Sequence, residues 1–223
     1  MPRPGTMSEN FETAGLSDGS RILVEVSASD SGKSQVAVQL LRKNGSSEIV
    51  LLPYPSAGLS GGRIILSPSE RFAVLSTYSG QSEEAFELFE IANGLTKVGG
   101  LGYQFGEYAS FCFSPDESLL VMALPFMCSE WWQPWDDGEA EPDGSERLAF
   151  AFGQLHVHDV TNGKSSVHEL RISAPEGWQP ERTDYDPDLR PVFHSEHALQ
   201  LAMPWAPVVI PIPVPDVVVL RCG

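Results

Sequence analysis

The sequence has few cysteines, and it lacks a long apolar segment. Cys112, Cys128 and Cys222 are the three cysteines among 223 residues, and their spacing fits neither a close pair nor a metal site. An odd number of cysteines does not suit a disulfide framework, so we expect a protein of the reducing cytoplasm. No uninterrupted apolar run approaches the roughly 20 residues that a membrane helix needs. We therefore expect no membrane-spanning helix.

Positive charge is also scarce. The chain has 14 Lys and Arg residues against 30 Asp and Glu residues, which gives a formal net charge of −16. Such a field repels phosphate backbones and favours cationic or neutral partners. We expect a protein partner or a small neutral or cationic ligand, with homo-oligomerisation open, and we expect no binding to nucleic acid or to a membrane.

Catalytic signatures are weak. No Gly-x-Ser-x-Gly elbow is present, and the glycine-rich run 58–62 lies in a loop entering a strand rather than between a strand and a helix. The sequence therefore favours a non-enzymatic protein without a metal or cofactor. The chain is instead rich in turn-forming residues, with 20 glycines and 18 prolines, as expected for many short strands.

A degenerate internal repeat indicates the architecture. The segment 66–75, with Ser67-Pro68 before an apolar run, recurs as 113–122 with Ser114-Pro115. A second shared segment, 86–94 and 155–163, ends each time in Asn-Gly, a dipeptide that accepts positive φ at a tight turn. Repeats of this size with strand patterning are typical of units that bury their faces only on one another.

The patterning predicts an all-β fold of about four four-stranded antiparallel units, with a β-sandwich as the alternative. Residues 1–12 are expected to be a disordered leader, and 13–223 a single domain with an acidic, Trp-rich insertion at 126–147 between two strands of the third unit. The tail 208–220 is expected to supply a closing strand to the first unit. The expected strands are 22–27, 35–41 and 48–52; 63–67, 71–76, 85–91 and 95–99; 109–113, 119–124, 148–160 and 166–172; and 190–195, 198–203 and 208–220.

The segments 66–94 and 113–163 resemble the opening and closing parts of blades in WD-repeat and related β-propellers. Where that family has Trp-Asp, this chain has His158-Asp159 and Phe89-Glu90. The resemblance implies a divergent, propeller-like array, closed as a small propeller or open, whose ligands bind at loops on one rim.

Three tryptophans and many acids make the insertion the candidate binding element. Large aromatics are favoured at binding hot spots, so the loops predict an interaction surface, although the tryptophans could equally pack inward. Alternating acids at 137, 139, 141 and 143 only partly match a calcium loop, and an acidic solubilising loop is the favoured interpretation. The candidate binding residues are Trp131, Trp132, Trp135, Asp136, Asp137 and Trp178.

Histidines offer an alternative function. His194 and His197 flank Ser195-Glu196, and with Asp186 they could act as acid and base in a hydrolase or lyase of a small-molecule pathway. Ser195 also aligns with the turn serines of the other units, and a structural role is favoured. The remaining histidines, His156, His158 and His168, are expected on one sheet face, where packing of His158 as a structural residue is favoured over zinc binding.

Overall fold

The computed structural model describes residues 9–28, 34–53, 59–79, 82–105, 110–125, 150–173, 190–203, 206–214 and 217–221. Within these ranges the chain forms sixteen strands and no helix, which confirms the all-β prediction. The chain divides into two compact units, Met1–Gln104 and Phe105–Gly223, and each contains two sheets. The expectation of a single domain over 13–223 stays a prediction.

The first unit contains two four-stranded antiparallel meanders, in which each strand pairs with its neighbour along the chain. The first sheet is β1 (Glu9–Gly15), β2 (Arg21–Ala28), β3 (Ser34–Leu41) and β4 (Ser47–Pro53). The second sheet is β5 (Leu59–Leu66), β6 (Phe72–Ser79), β7 (Ser82–Glu90) and β8 (Thr96–Phe105).

The second unit contains a meander with one added strand and a shorter meander. The third sheet has β9 (Ser110–Phe113), β10 (Leu119–Pro125), β11 (Phe150–Asp159) and β12 (Lys164–Ser173), all antiparallel. The fourth sheet has β13 (Val192–Ser195), β14 (Ala198–Leu201) and β15 (Val208–Pro211). The last strand, β16 (Val217–Arg221), joins the edge of the third sheet parallel to β12.

Two expectations about the ends of the chain need correction. Residues 9–12, expected in a disordered leader, form the start of β1, whose polar sequence gave no strand signal. The tail 208–220 was expected to be one strand closing the first unit. It forms two strands, β15 and β16, instead, because prolines interrupt the run. β16 pairs with β12 of the third sheet and not with the first sheet.

The turn before the second strand has one left-handed position in each of the first three sheets. Glu70 (φ 57°) and Glu117 (φ 59°) adopt the left-handed conformation, and Gly19 (φ 86°) occupies the same place in the first sheet. Each of these residues donates its N–H to the carbonyl three positions earlier. The turn of the first sheet therefore aligns Leu16, rather than the serine at 17, with Ser67.

The turn serines stabilise these turns with their side chains. Ser67 Oγ accepts a hydrogen bond from the N–H of Phe72 at 3.0 Å, and Ser114 Oγ accepts one from the N–H of Leu119 at 2.9 Å. Both serines are buried, so the hydroxyl provides a partner for a backbone donor that water cannot reach. The recurrent Ser-Pro signal is thus structural.

One apolar core lies between the two sheets of the first unit. It forms because Ile22, Val24, Val36, Val38 and Leu40 alternate along β2 and β3 toward one face, which meets Ala73, Leu75 and Phe89 of the second sheet. The second sheet is buried on both faces, since the neighbouring residues Val74 and Leu75 are 0% and 2% exposed.

A second core lies within the second unit. The residues that form it come from the third and fourth sheets, and they include Val121, Leu155, Leu170, Leu199 and Ile210. The third sheet is likewise buried on both of its faces, because Leu120 and Val121 are 1% and 0% exposed. Pairing of two sheets about a core is common to a β-propeller and a β-sandwich.

Candidate functional site

The third sheet has two chemically different ends. At one end lie the Ser114 turn and the 160–163 hairpin, both dense in polar hydrogen bonds. At the other end, Pro125 of β10 pairs with Gly153 of β11, and Phe150 of β11 pairs with Ser173 of β12. We call the latter the insertion end, because the chain leaves β10 there into the insertion 126–147 and returns there into β11.

The strand β12, which precedes Trp178 in the sequence, also ends at the insertion end. Ser173 is the last residue of β12, and the chain continues from it toward Trp178. The register of β11 with β12 therefore gives both Trp-bearing segments their attachment points at one end of one sheet. The residues 126–147, with Trp131, Trp132, Trp135, Asp136 and Asp137, lie outside the described residues, as do Trp178 and Asp186.

The histidines of β11 and β12 do not share one face. Leu155 pairs with His168, so these two side chains lie on the same face, whereas His156 and His158 point to the other. The expected grouping of three imidazoles on one face is therefore wrong, because a one-residue shift of register exchanges the faces. Among the described residues, no group of three or more His, Cys, Asp or Glu side chains could hold a metal ion.

Each of these three buried imidazoles has a nearby polar partner. A hydrogen bond of 2.8 Å joins His158 Nδ1 to Ser165 Oγ, and one of 2.7 Å joins His168 Nε2 to Ser166 Oγ. Gln154 Oε1 accepts a hydrogen bond from His156 Nε2 at 3.2 Å. The favoured interpretation of His158 as a packed, hydrogen-bonded strand residue agrees with this geometry.

Burial lowers the pKa of the two histidines of β11. The pKa of His156 falls to about 4, mainly because burial disfavours the imidazolium and secondarily because His168 lies near. Burial also lowers the pKa of His158, against an opposing attraction from Asp159. In the described part of the chain, His156 Nδ1 has no hydrogen-bond partner, which suits a neutral ring that is protonated at Nε2.

The residues of the enzyme alternative lie at the hairpin between β13 and β14. His194 and His197 are both exposed, and Ser195 Oγ accepts a hydrogen bond from the N–H of His197 at 3.3 Å. Ser195 thus bonds to its own turn, but its donor lies two residues on, whereas the donors for Ser67 and Ser114 lie five residues on.

Sequence reasoning missed one surface feature. Ile49 and Leu51 on β4 are 57% and 56% exposed on the face of the first sheet that points away from its core. The signal was available in the sequence: β4 reads Glu-Ile-Val-Leu-Leu, an unbroken apolar run rather than an alternation, which gives an apolar side chain to both faces.

Comparisons with known proteins identify no family. No family model matches the sequence, and no curated protein matches it. Among the described residues, no helix is long and apolar enough to cross a membrane.

Three solved structures are similar at low identity. A functionally unknown protein from Desulfotomaculum acetoxidans is 13% identical with a TM-score of 0.35, over 93% of this chain and 70% of that one. Cobalt-substituted Synechocystis ACO is 8% identical with a TM-score of 0.36, over 96% of this chain and 51% of that one. The WD40 domain of SCAP from fission yeast is 7% identical with a TM-score of 0.28, over 94% of this chain and 74% of that one. At such TM-scores these similarities define neither fold family nor function.

Proposed function

We propose that the protein is a non-enzymatic interaction module, built as a propeller-like array, that binds another protein at the insertion end of the third sheet. The residues that make the contact in this proposal are Trp131, Trp132, Trp135, Asp136, Asp137 and Trp178. The partner presents a neutral or cationic surface, because a chain of net charge −16 repels nucleic acid and anionic membranes.

The propeller-like part of the proposal is supported by the repeated meanders. Three of the sheets share a turn with a left-handed residue, at Gly19, Glu70 and Glu117. Within each unit, two meanders pack about one apolar core, as neighbouring units of a repeat array do.

The binding part of the proposal is carried by the register of the third sheet. Phe150 pairs with Ser173, and Pro125 pairs with Gly153, so two segments that contain four tryptophans are tethered at the same end. Loops that leave a rigid sheet at one end form a common type of binding surface, and buried aromatics dominate the energy of such interfaces.

The test is capture of a partner from the host by the full chain and by variants. We expect Trp131→Ala/Trp132→Ala/Trp135→Ala to lower the captured amount at least about tenfold, as loss of aromatic hot spots does. Lys164→Ala, at the opposite end of the same sheet, is the matched control and should capture normally. Equal capture by the tryptophan variant contradicts the proposal, as does a large drop of its melting temperature, which would assign these side chains to a core.

A further inference from the structure

β4 is an edge strand that is ready to accept another strand. It pairs with β3 from Ser47 to Pro53 without a register shift, and among the described residues no other strand pairs with it. Alternate backbone N–H and C=O groups along its free side therefore point away from the sheet. Such an edge is a template for strand addition.

The side chains of β4 offer an apolar surface beside this edge. Ile49 and Leu51 are more than half exposed on the outer face, while Leu52 is 4% exposed on the core face. Glu48, which is the acid of this strand, is already engaged: its Oε1 lies 3.5 Å from Arg42 Nε, and its Oε2 accepts a hydrogen bond from Leu95 N at 2.9 Å. No charged side chain of β4 points to the outer face.

Most of the other described edges carry features with which proteins block strand addition, namely bulges, short length or an exposed lysine. Register shifts interrupt β1, β5 and β13. β9 and β15 have four residues, and β8 presents Lys97. β16 is a regular edge of five residues that ends in Arg221. β4 is a regular edge of seven residues with two exposed aliphatic side chains.

We infer that β4 is a self-association site, at which a second copy of this chain adds its own β4 antiparallel. A two-fold axis at Val50 places Ile49 opposite Leu51 of the second copy and Leu51 opposite Ile49 of the second copy. The strand is thus complementary to itself, and the four exposed aliphatic side chains cover one another. A continuous eight-stranded sheet results from the two first sheets.

Charge favours this occupant over a cationic partner at the same edge. The outer face of β4 has no acid to attract a cation, because Glu48 is held on the core face by Arg42 and Leu95. The remainder of each chain is strongly acidic, so two copies repel one another at long range. Self-association therefore strengthens as salt screens that repulsion, whereas binding of a cationic protein weakens.

Sedimentation of the full chain over a concentration series, at low and high sodium chloride, tests the inference. We expect a reversible dimer that tightens with salt. We expect Ile49→Lys or Leu51→Lys to raise its dissociation constant by about tenfold or more, because each buries an unpaired charge. Both positions are exposed, so the melting temperature should hold, and Val209→Lys on β15 is the matched control that leaves the dimer intact.

Disulfide trapping tests the register. In a Cys128→Ser/Cys222→Ser background, a mixture of the Ile49→Cys and Leu51→Cys chains should cross-link faster than either chain alone. The inference is overturned if the chain stays monomeric at every concentration, or if the dimer dissociates with salt or persists in the lysine variants. Cross-linking without this preference also overturns it. The same holds if the lysine variants lose binding of a different protein rather than of a second copy.

Discussion

The carboxylate of Glu70 accepts hydrogen bonds from both the N–H and the hydroxyl of Ser17, at 2.9 Å and 2.7 Å to Oε2. Ser17 lies in the turn between β1 and β2, and Glu70 lies in the turn between β5 and β6. The contact therefore ties the two sheets of the first unit at their turns. Glu70 makes this contact from a left-handed position at which the first sheet has Gly19.

Removal of the Glu70 carboxylate should weaken the first unit. We expect Glu70→Ala to lower the free energy of unfolding by about 1 kcal/mol, because charge-assisted hydrogen bonds are lost at a site that water still reaches. The measurement is a denaturant double-mutant cycle with Ser17→Ala, which reports the hydroxyl–carboxylate bond because the N–H of residue 17 remains. Additive effects of the two substitutions would show that this hydroxyl bond contributes nothing.

Gly163 should resist substitution although there is space for a side chain. Its φ is +70°, and a Cβ would meet nothing within 4 Å, so the cost of Gly163→Ala is backbone strain alone, about 1 kcal/mol. Gly15→Ala is the matched control: the space there is also open, and a stability change below about 0.5 kcal/mol is expected. Equal effects in the thermal unfolding of the two variants would contradict this account.

His156 should make stability depend on pH. Its pKa is lowered from 6.5 to about 4 in the fold. Between pH 4 and pH 6.5 the imidazole is therefore protonated in the unfolded chain and neutral in the folded chain. Stability is then complete above about pH 6.5 and falls as the pH drops toward 4, with a slope of at most about 1.4 kcal/mol per pH unit for this group.

Urea unfolding from pH 7.5 to pH 4.5 measures this effect. We expect His156→Gln to flatten the profile, and the buried His158, whose pKa is also lowered, to account for a remaining part of the slope. His194→Gln, which removes an exposed imidazole, is the control for the loss of one histidine. A profile that His156→Gln leaves as steep as that of the parent chain would place His156 in a solvated site.

Cys112 should be unreactive in the folded protein. Burial raises the pKa of its thiol to about 12, so little thiolate is present near pH 8. In the Cys128→Ser/Cys222→Ser background, we expect a thiol reagent to modify Cys112 roughly three orders of magnitude more slowly in native buffer than in denaturant. Comparable rates in the two conditions would show that β9 does not protect it.

Local signals in the sequence predicted most strands and turns, because they act over a few residues. The Asn-Gly pairs 93–94 and 162–163 lie at turns with a positive-φ glycine, as expected, and so does the pair 44–45. The Ser67 and Ser114 turns precede β6 and β10 as predicted.

Long-range relations could not be predicted in the same way. The parallel pairing of β16 with β12 is a choice of partner that an apolar run does not specify. The face occupied by His168 depends on a register that one residue reverses, and β1 is held by pairing with β2 rather than by its own polar sequence. The tryptophans of the candidate binding surface stay predictions.

Hydrogen exchange of the full chain, with and without the captured partner, tests most directly whether the insertion end of the third sheet is the binding surface. We predict slower exchange on binding at the ends of β10, β11 and β12 next to Pro125, Phe150 and Ser173, and no change at the 114–118 turn or the 160–163 hairpin. Protection confined to those turns, or to the first unit alone, would contradict the account.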